Sequence, residues 1–157
     1  MKEVTTVALT EVTEATNTSQ AESEVLIESH PTGIIIPGKV LEAATIVDAY
    51  RYLLFVTDDI IFEETLTVLL IELPQGIVEK LVIGGVYASG HFEGLTVSPH
   101  SVRFSFIGDT IWTIKVPESP MFKLPFSAPR GVSRPMGLRK YIDISANTFP
   151  ARADSSR

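Results

Sequence analysis

Between positions 50 and 116 short apolar, β-branched runs alternate with turn residues, a grammar that leaves little room for anything but antiparallel sheet. Strands are expected over 39–47, 50–57, 66–73, 77–83, 92–97, 102–107 and 111–116. The connections are too short for the crossovers of about a dozen residues that parallel neighbours need. Two earlier apolar runs, Val25-Leu26-Ile27 and Ile34-Ile35-Ile36, precede a Pro37-Gly38 bend. The expected fold is all-β, a single antiparallel β-barrel or β-sandwich of about seven to nine strands with irregular N- and C-terminal extensions.

Two hairpins allow register to be argued. Pro74-Gln75-Gly76 reads as a three-residue loop that pairs Leu73 with Ile77, Leu69 with Leu81 and Val68 with Val82. Both faces of this hairpin are aliphatic, as in the interior of a closed or layered sheet. In the second, a Gly108-Asp109-Thr110 loop sets Phe106 opposite Trp112, Phe104 opposite Ile114 and Val102 opposite Val116. It leaves Ser105, Thr113, Arg103 and Lys115 on the other face. Trp112, Phe104 and Phe106 are therefore assigned to the core rather than to a ligand platform.

Outside this region the composition changes. Residues 1–23 are rich in Thr, Glu, Ser and Ala without an aromatic side chain, and read as a disordered acidic arm. Val4, Val7, Ala8, Val12 and Ala15 form only a thin helical stripe among poor helix formers. The β domain occupies 24–117. Residues 118–147 are a proline-rich basic extension whose Met121, Phe122, Leu124, Phe126, Met136, Leu138, Ile142 and Ile144 require it to pack on the domain or on a partner, with an edge strand over 139–145. Residues 148–157 are expected to form a disordered tail.

Charge follows the same division. Residues 1–30 carry one Lys and six Glu, 31–117 five basic and ten acidic residues, and 118–157 seven basic and three acidic, so net charges of −5, −5 and +4 sum to −6. The acidic whole disfavours nucleic acid, whose phosphates demand neutralisation. The longest central aliphatic run, Val68-Leu69-Leu70-Ile71, is too short to cross a bilayer, so no membrane is expected. The absence of cysteine and of an apolar signal region near Met1 sets the cytoplasm as the expected location.

The chemistry-bearing residues form no recognised constellation. Asp58, Asp59, Glu63 and Glu64 share one loop, and four carboxylates suit a hard cation such as Ca²⁺ or Mg²⁺. The spacing matches no ion-binding loop and Ile60-Ile61-Phe62 interrupt it, so a solvated acidic turn without metal is expected. His30, His91 and His100 are isolated in sequence. A Ser89, His91, Asp109 triad lacks the Gly-x-Ser-x-Gly elbow, and Gly84-Gly85 lacks the lysine of a phosphate loop. Arg130, Arg134, Arg139 and Lys140, with Lys123, interleave with Phe122, Phe126 and Tyr141, as in single-strand nucleic-acid grooves. Pairing with the domain's own acidic surface or with a neighbouring subunit accounts for them better.

No catalytic residue and no cofactor is assigned. The leading expectation is a non-catalytic interaction or assembly module, a homo-oligomer or the binder of a protein partner through the C-terminal extension. The alternative is a small apolar-ligand-binding β-barrel whose cavity is lined by Leu54, Leu70 and Phe104. The third is a cation-dependent hydrolase built on the Asp58 to Glu64 loop.

Overall fold

The computed structural model describes residues 1–58, 65–84, 90–122, 128–134 and 139–148. Fifteen strands occur among them: β1 Lys2–Glu3, β2 Val7–Thr13, β3 Glu22–Ile27, β4 His30–Pro37, β5 Val40–Ile46, β6 Arg51–Thr57, β7 Thr65–Glu72 and β8 Gly76–Gly84. They continue with β9 Gly90–Val97, β10 Val102–Ile107, β11 Thr110–Lys115, β12 Met121–Phe122, β13 Val132–Ser133, β14 Arg139–Lys140 and β15 Asp143–Thr148. All pairings are antiparallel. The described residues include no helix, and so none long and apolar enough to cross a membrane.

The strands form open sheets, not a barrel. A six-stranded sheet in the order β1-β5-β6-β7-β8-β13 lies between a four-stranded sheet, β15-β11-β10-β9, and a three-stranded one, β2-β3-β4. Strands β12 and β14 make a separate two-stranded ribbon. The architecture is sandwich-like, with three layers and two cores.

This layering explains the near-continuous apolar runs of β6 and β7, since side chains alternate between faces and here both faces are covered. Leu53 and Phe55 of β6, with Leu66, Val68 and Leu70 of β7, face the four-stranded sheet and meet Val102, Phe104, Phe106, Trp112 and Ile114. Tyr52, Leu54, Val56, Leu69 and Ile71 face the opposite way, toward Val7, Val25, Ile34 and Ile36. Phe55, Phe92 and Phe104 form a ring cluster with centroids 5.1 to 5.3 Å apart.

Both hairpin registers differ from expectation, in different ways. Strands β10 and β11 pair Phe104 with Trp112 and Val102 with Ile114, two residues from the expected alignment. A shift of two preserves the faces, so Val102, Phe104, Phe106, Trp112 and Ile114 are all buried as expected. Strands β7 and β8 pair Glu72 with Gly76 and Ile71 with Ile77, and an irregularity between Leu70 and Ile71 then aligns Leu69 with Lys80 and Val68 with Leu81. Beyond that irregularity the slip is one residue, which β7 tolerates because both of its faces are apolar, although it leaves Glu79 of β8 on the buried face with Leu81 and Ile83.

Residues 1–23 do not form the expected disordered arm. They supply β1, β2 and the start of β3, and Val7, Ala21 and Ser23 are buried. The Met1 amine donates to the Pro99 carbonyl at 2.7 Å. The Val/Thr content that weakened a helical reading is what favours an edge strand. The bend at Gly38 carries the chain from the three-stranded sheet to the central one. Its φ is 110°, and an added Cβ would collide with Val56. The Gly38 N–H donates to Ala21 O at 2.8 Å, while its carbonyl accepts from Ser23 Oγ at 2.7 Å.

Candidate functional site

The C-terminal extension reaches both the central sheet and the four-stranded sheet. Strand β13 pairs with β8, and β15 pairs with β11 along its full length. Between them the backbone runs over Glu79. This residue shares a face of β8 with Leu81 and Ile83, so its carboxylate points toward an apolar layer and needs partners there. It finds three. Arg134 Nη1 donates to Glu79 Oε2 at 2.6 Å, and the backbone N–H groups of Tyr141 and Ile142 both donate to Oε1, the latter at 2.8 Å. Arg134 also donates to the Ile142 carbonyl at 3.2 Å. Both side chains of the ion pair are 8% exposed.

Of the basic residues singled out from sequence, Arg134 is thus buried in structural work. Lys140 Nζ stands 3.3 Å from Asp143 Oδ1. Arg130 and Arg139 are exposed. The four form no continuous cationic stripe, and Lys123 lies outside the described residues.

The apolar residues of the extension divide sharply. Ile142 and Ile144 are buried against the domain, whereas Met121 is 41% and Phe122 80% exposed. Leu124, Phe126, Met136 and Leu138 lie outside the described residues. Strand β12 pairs only with β14, setting Met121 opposite Lys140 and Phe122 opposite Arg139. The ribbon presents an aromatic ring beside a guanidinium-bearing residue at the surface.

Asp58 follows the end of β6. Gln20 Nε2 donates to its Oδ2 at 2.7 Å, and Oδ1 is buried with no hydrogen-bond partner among the described residues. Burial raises its pKa above the ordinary 3.8, opposed by the Gln20 hydrogen bond. Asp59, Glu63 and Glu64 lie outside the described residues. Among the described residues, no group of three or more metal-ligating side chains comes together.

His30 and His91 lie exposed on β4 and β9, and His100 lies exposed in the turn before β10. Ser89 is outside the described residues. Leu54 sits in one core and Leu70 and Phe104 in the other, so these three side chains do not line a common cavity. A surface groove of about 510 Å³ instead runs past Ile107, Trp112, Pro129, Arg130, Gly131 and Ala146.

Sequence reasoning missed the Glu79 cluster. Its signal was present: a single carboxylate on the Leu81, Ile83 face of an apolar strand demands a buried counter-charge. Nothing local pointed to a partner 55 positions away.

Compared with models of known families, with curated proteins and with solved structures, the chain matches none.

Proposed function

We propose that this protein is a non-catalytic interaction module that binds a protein partner or further copies of itself through its C-terminal extension. The observation that carries this reading is Phe122, 80% exposed on a ribbon that the Glu79–Arg134 cluster helps to anchor to the domain. Aromatic side chains, Met and Arg are the residue types enriched at protein interfaces relative to the rest of the surface. Residues 118–157 carry +4 against −10 for the rest of the chain, which suits an acidic partner surface. Native mass spectrometry of the full chain from its own host tests the reading. A complex or oligomer is expected, weakened at least about tenfold in the Phe122→Ser variant, a loss of roughly 1.4 kcal/mol. A monomer without partners, or a complex indifferent to Phe122→Ser, overturns it.

The groove beside Trp112 and Arg130 favours a second reading, a small-ligand binder, for which the same spectrum should show a bound mass released on denaturation.

A further inference from the structure

The structure treats its sheet edges unequally. An exposed edge offers unpaired N–H and C=O groups to any extended chain, and proteins blunt such edges with prolines, charges, bulges or very short strands. Strand β4 carries Pro31 and Pro37. Strand β2 has a register shift between Glu11 and Thr13, and carries Glu11 itself. Strand β9 has two register shifts against β10 and Gly94 at a φ of 70°. The central sheet ends at β1 and β13, each of two residues.

Strand β15 has none of these devices apart from one charge at its first residue. Its sequence Asp-Ile-Ser-Ala-Asn-Thr contains no proline, glycine or lysine, and its six pairs with β11 run without a shift. Every second residue turns its N–H and C=O away from β11, and no described strand lies beyond them. Ser145, Ala146 and Asn147 are exposed. The strand's one charge, Asp143, pairs with Lys115 across the ladder and lies 3.3 Å from Lys140 Nζ.

From this we infer that β15 is a dimerisation edge whose occupant is β15 of a second copy, running antiparallel across a two-fold axis near Ser145. The inference rests on the interaction reading above and names its partner. A second copy is chosen over another extended chain by two arguments. Every other long described edge is blunted, so the matching open edge on another molecule is β15 itself, and pairing of a patch with itself closes as a dimer. The charges also permit it. With the axis at Ser145, Asp143 faces Asn147 of the second copy and Ile144 faces Ala146, with no like charges opposed. Antiparallel pairing then continues the four-stranded sheet into one of eight strands, with the core-facing sides of both copies on the same side.

Because the chain contains no cysteine, cross-linking can be read without interference. The single variant Ser145→Cys places a thiol at the axis, where opposed Cα atoms lie about 4.5 to 5.5 Å apart, within disulfide reach. Thr96→Cys on the β9 edge is the control. The expected result is a mass of twice 17.2 kDa by light scattering for the wild-type chain. An intermolecular disulfide should form in the Ser145 variant and not in the Thr96 control. Ser145→Lys, which opposes two charges at the axis, should weaken the dimer at least about tenfold. A wild-type dimer with no cross-link at Ser145, or with equal cross-linking at Thr96, overturns the edge assignment. If such a dimer is still broken by Phe122→Ser, the interaction reading survives. A monomer that also lacks any partner from its host defeats both.

Discussion

Arg134 Nη1 meets Glu79 Oε2 at 2.6 Å across 55 positions of sequence, in an ion pair whose two side chains are each 8% exposed. The pair joins the edge of the central sheet to the segment that leads into β15, and so acts on the same segment as the proposed dimer edge. The Glu79 carboxylate has a second task, because it also receives the Tyr141 and Ile142 N–H groups.

The two partners should therefore be unequal when removed. Breaking a buried ion pair costs about 3 to 5 kcal/mol through the charge left behind. Glu79→Ala additionally leaves two backbone donors unsatisfied, at roughly 1 to 3 kcal/mol each. Urea unfolding should rank Glu79→Ala as more destabilising than Arg134→Ala. The reverse order would show that the backbone donors find other acceptors.

Trp112→Ala should cost about 3 to 5 kcal/mol, since the ring is 3% exposed and buried against the central sheet. Ser105→Ala, on the outer face of the same hairpin, should stay within about 0.5 kcal/mol. Equal unfolding midpoints for the two variants would contradict the face assignment.

Asp58 should make the fold sensitive to mild acid in an unusual direction. Burial raises its folded pKa above 3.8, so the fold favours the protonated carboxyl. The stabilising contribution is full below the unfolded value and is lost as pH rises through the higher folded one. Relative to Asp58→Asn, wild-type stability should decline across that window as pH increases. Carbon-detected NMR titration of the carboxyl should show its midpoint above 3.8, and higher still in Gln20→Ala. A midpoint below 3.8 would contradict the proposed burial.

Removing residues 1–13 should destabilise the protein, because β2 covers part of the core between the three-stranded and central sheets and β1 pairs with β5 at the edge of the central one. Full burial of a side chain such as Val7 is worth about 1.5 to 3 kcal/mol, and Val4 and Leu9 pack against the same cluster. The measurement is a thermal or urea midpoint of the truncated chain, and an unchanged midpoint would return this segment to the status of a loose arm.

How much of this was legible depended on whether one face differed from the other. Along β10 and β11, Phe104 and Trp112 alternate with Ser105 and Thr113, so the buried face was readable although the register was off by two. Along β7 both Val68 and Leu69 are apolar, and nothing in the pattern resists a one-residue slip. Val7 and Ala21 escaped notice because short β-branched and small residues among threonines and glutamates resemble a solvated arm until a sheet appears beneath them. For Phe122 the pattern left open whether it packs on the domain or on a partner, since hydrophobicity alone cannot distinguish a residue kept for its own core from one left at the surface. Asp58 was identified, but its Gln20 partner lies 38 positions away in a segment read as disordered.

The two-sided burial of β6 and β7 bears on how the chain reaches its native state. The β5 to β8 meander pairs neighbours in sequence and needs only short loops to close, so it is expected to assemble early. Until β2–β4 dock on one side and β9–β11 on the other, it exposes two greasy surfaces at once. Delay of either outer layer leaves a partly assembled sheet open to aggregation. The vulnerable step in making this molecule is therefore the interval before the second covering sheet arrives, and a variant that slows either docking should show itself first as lost soluble yield.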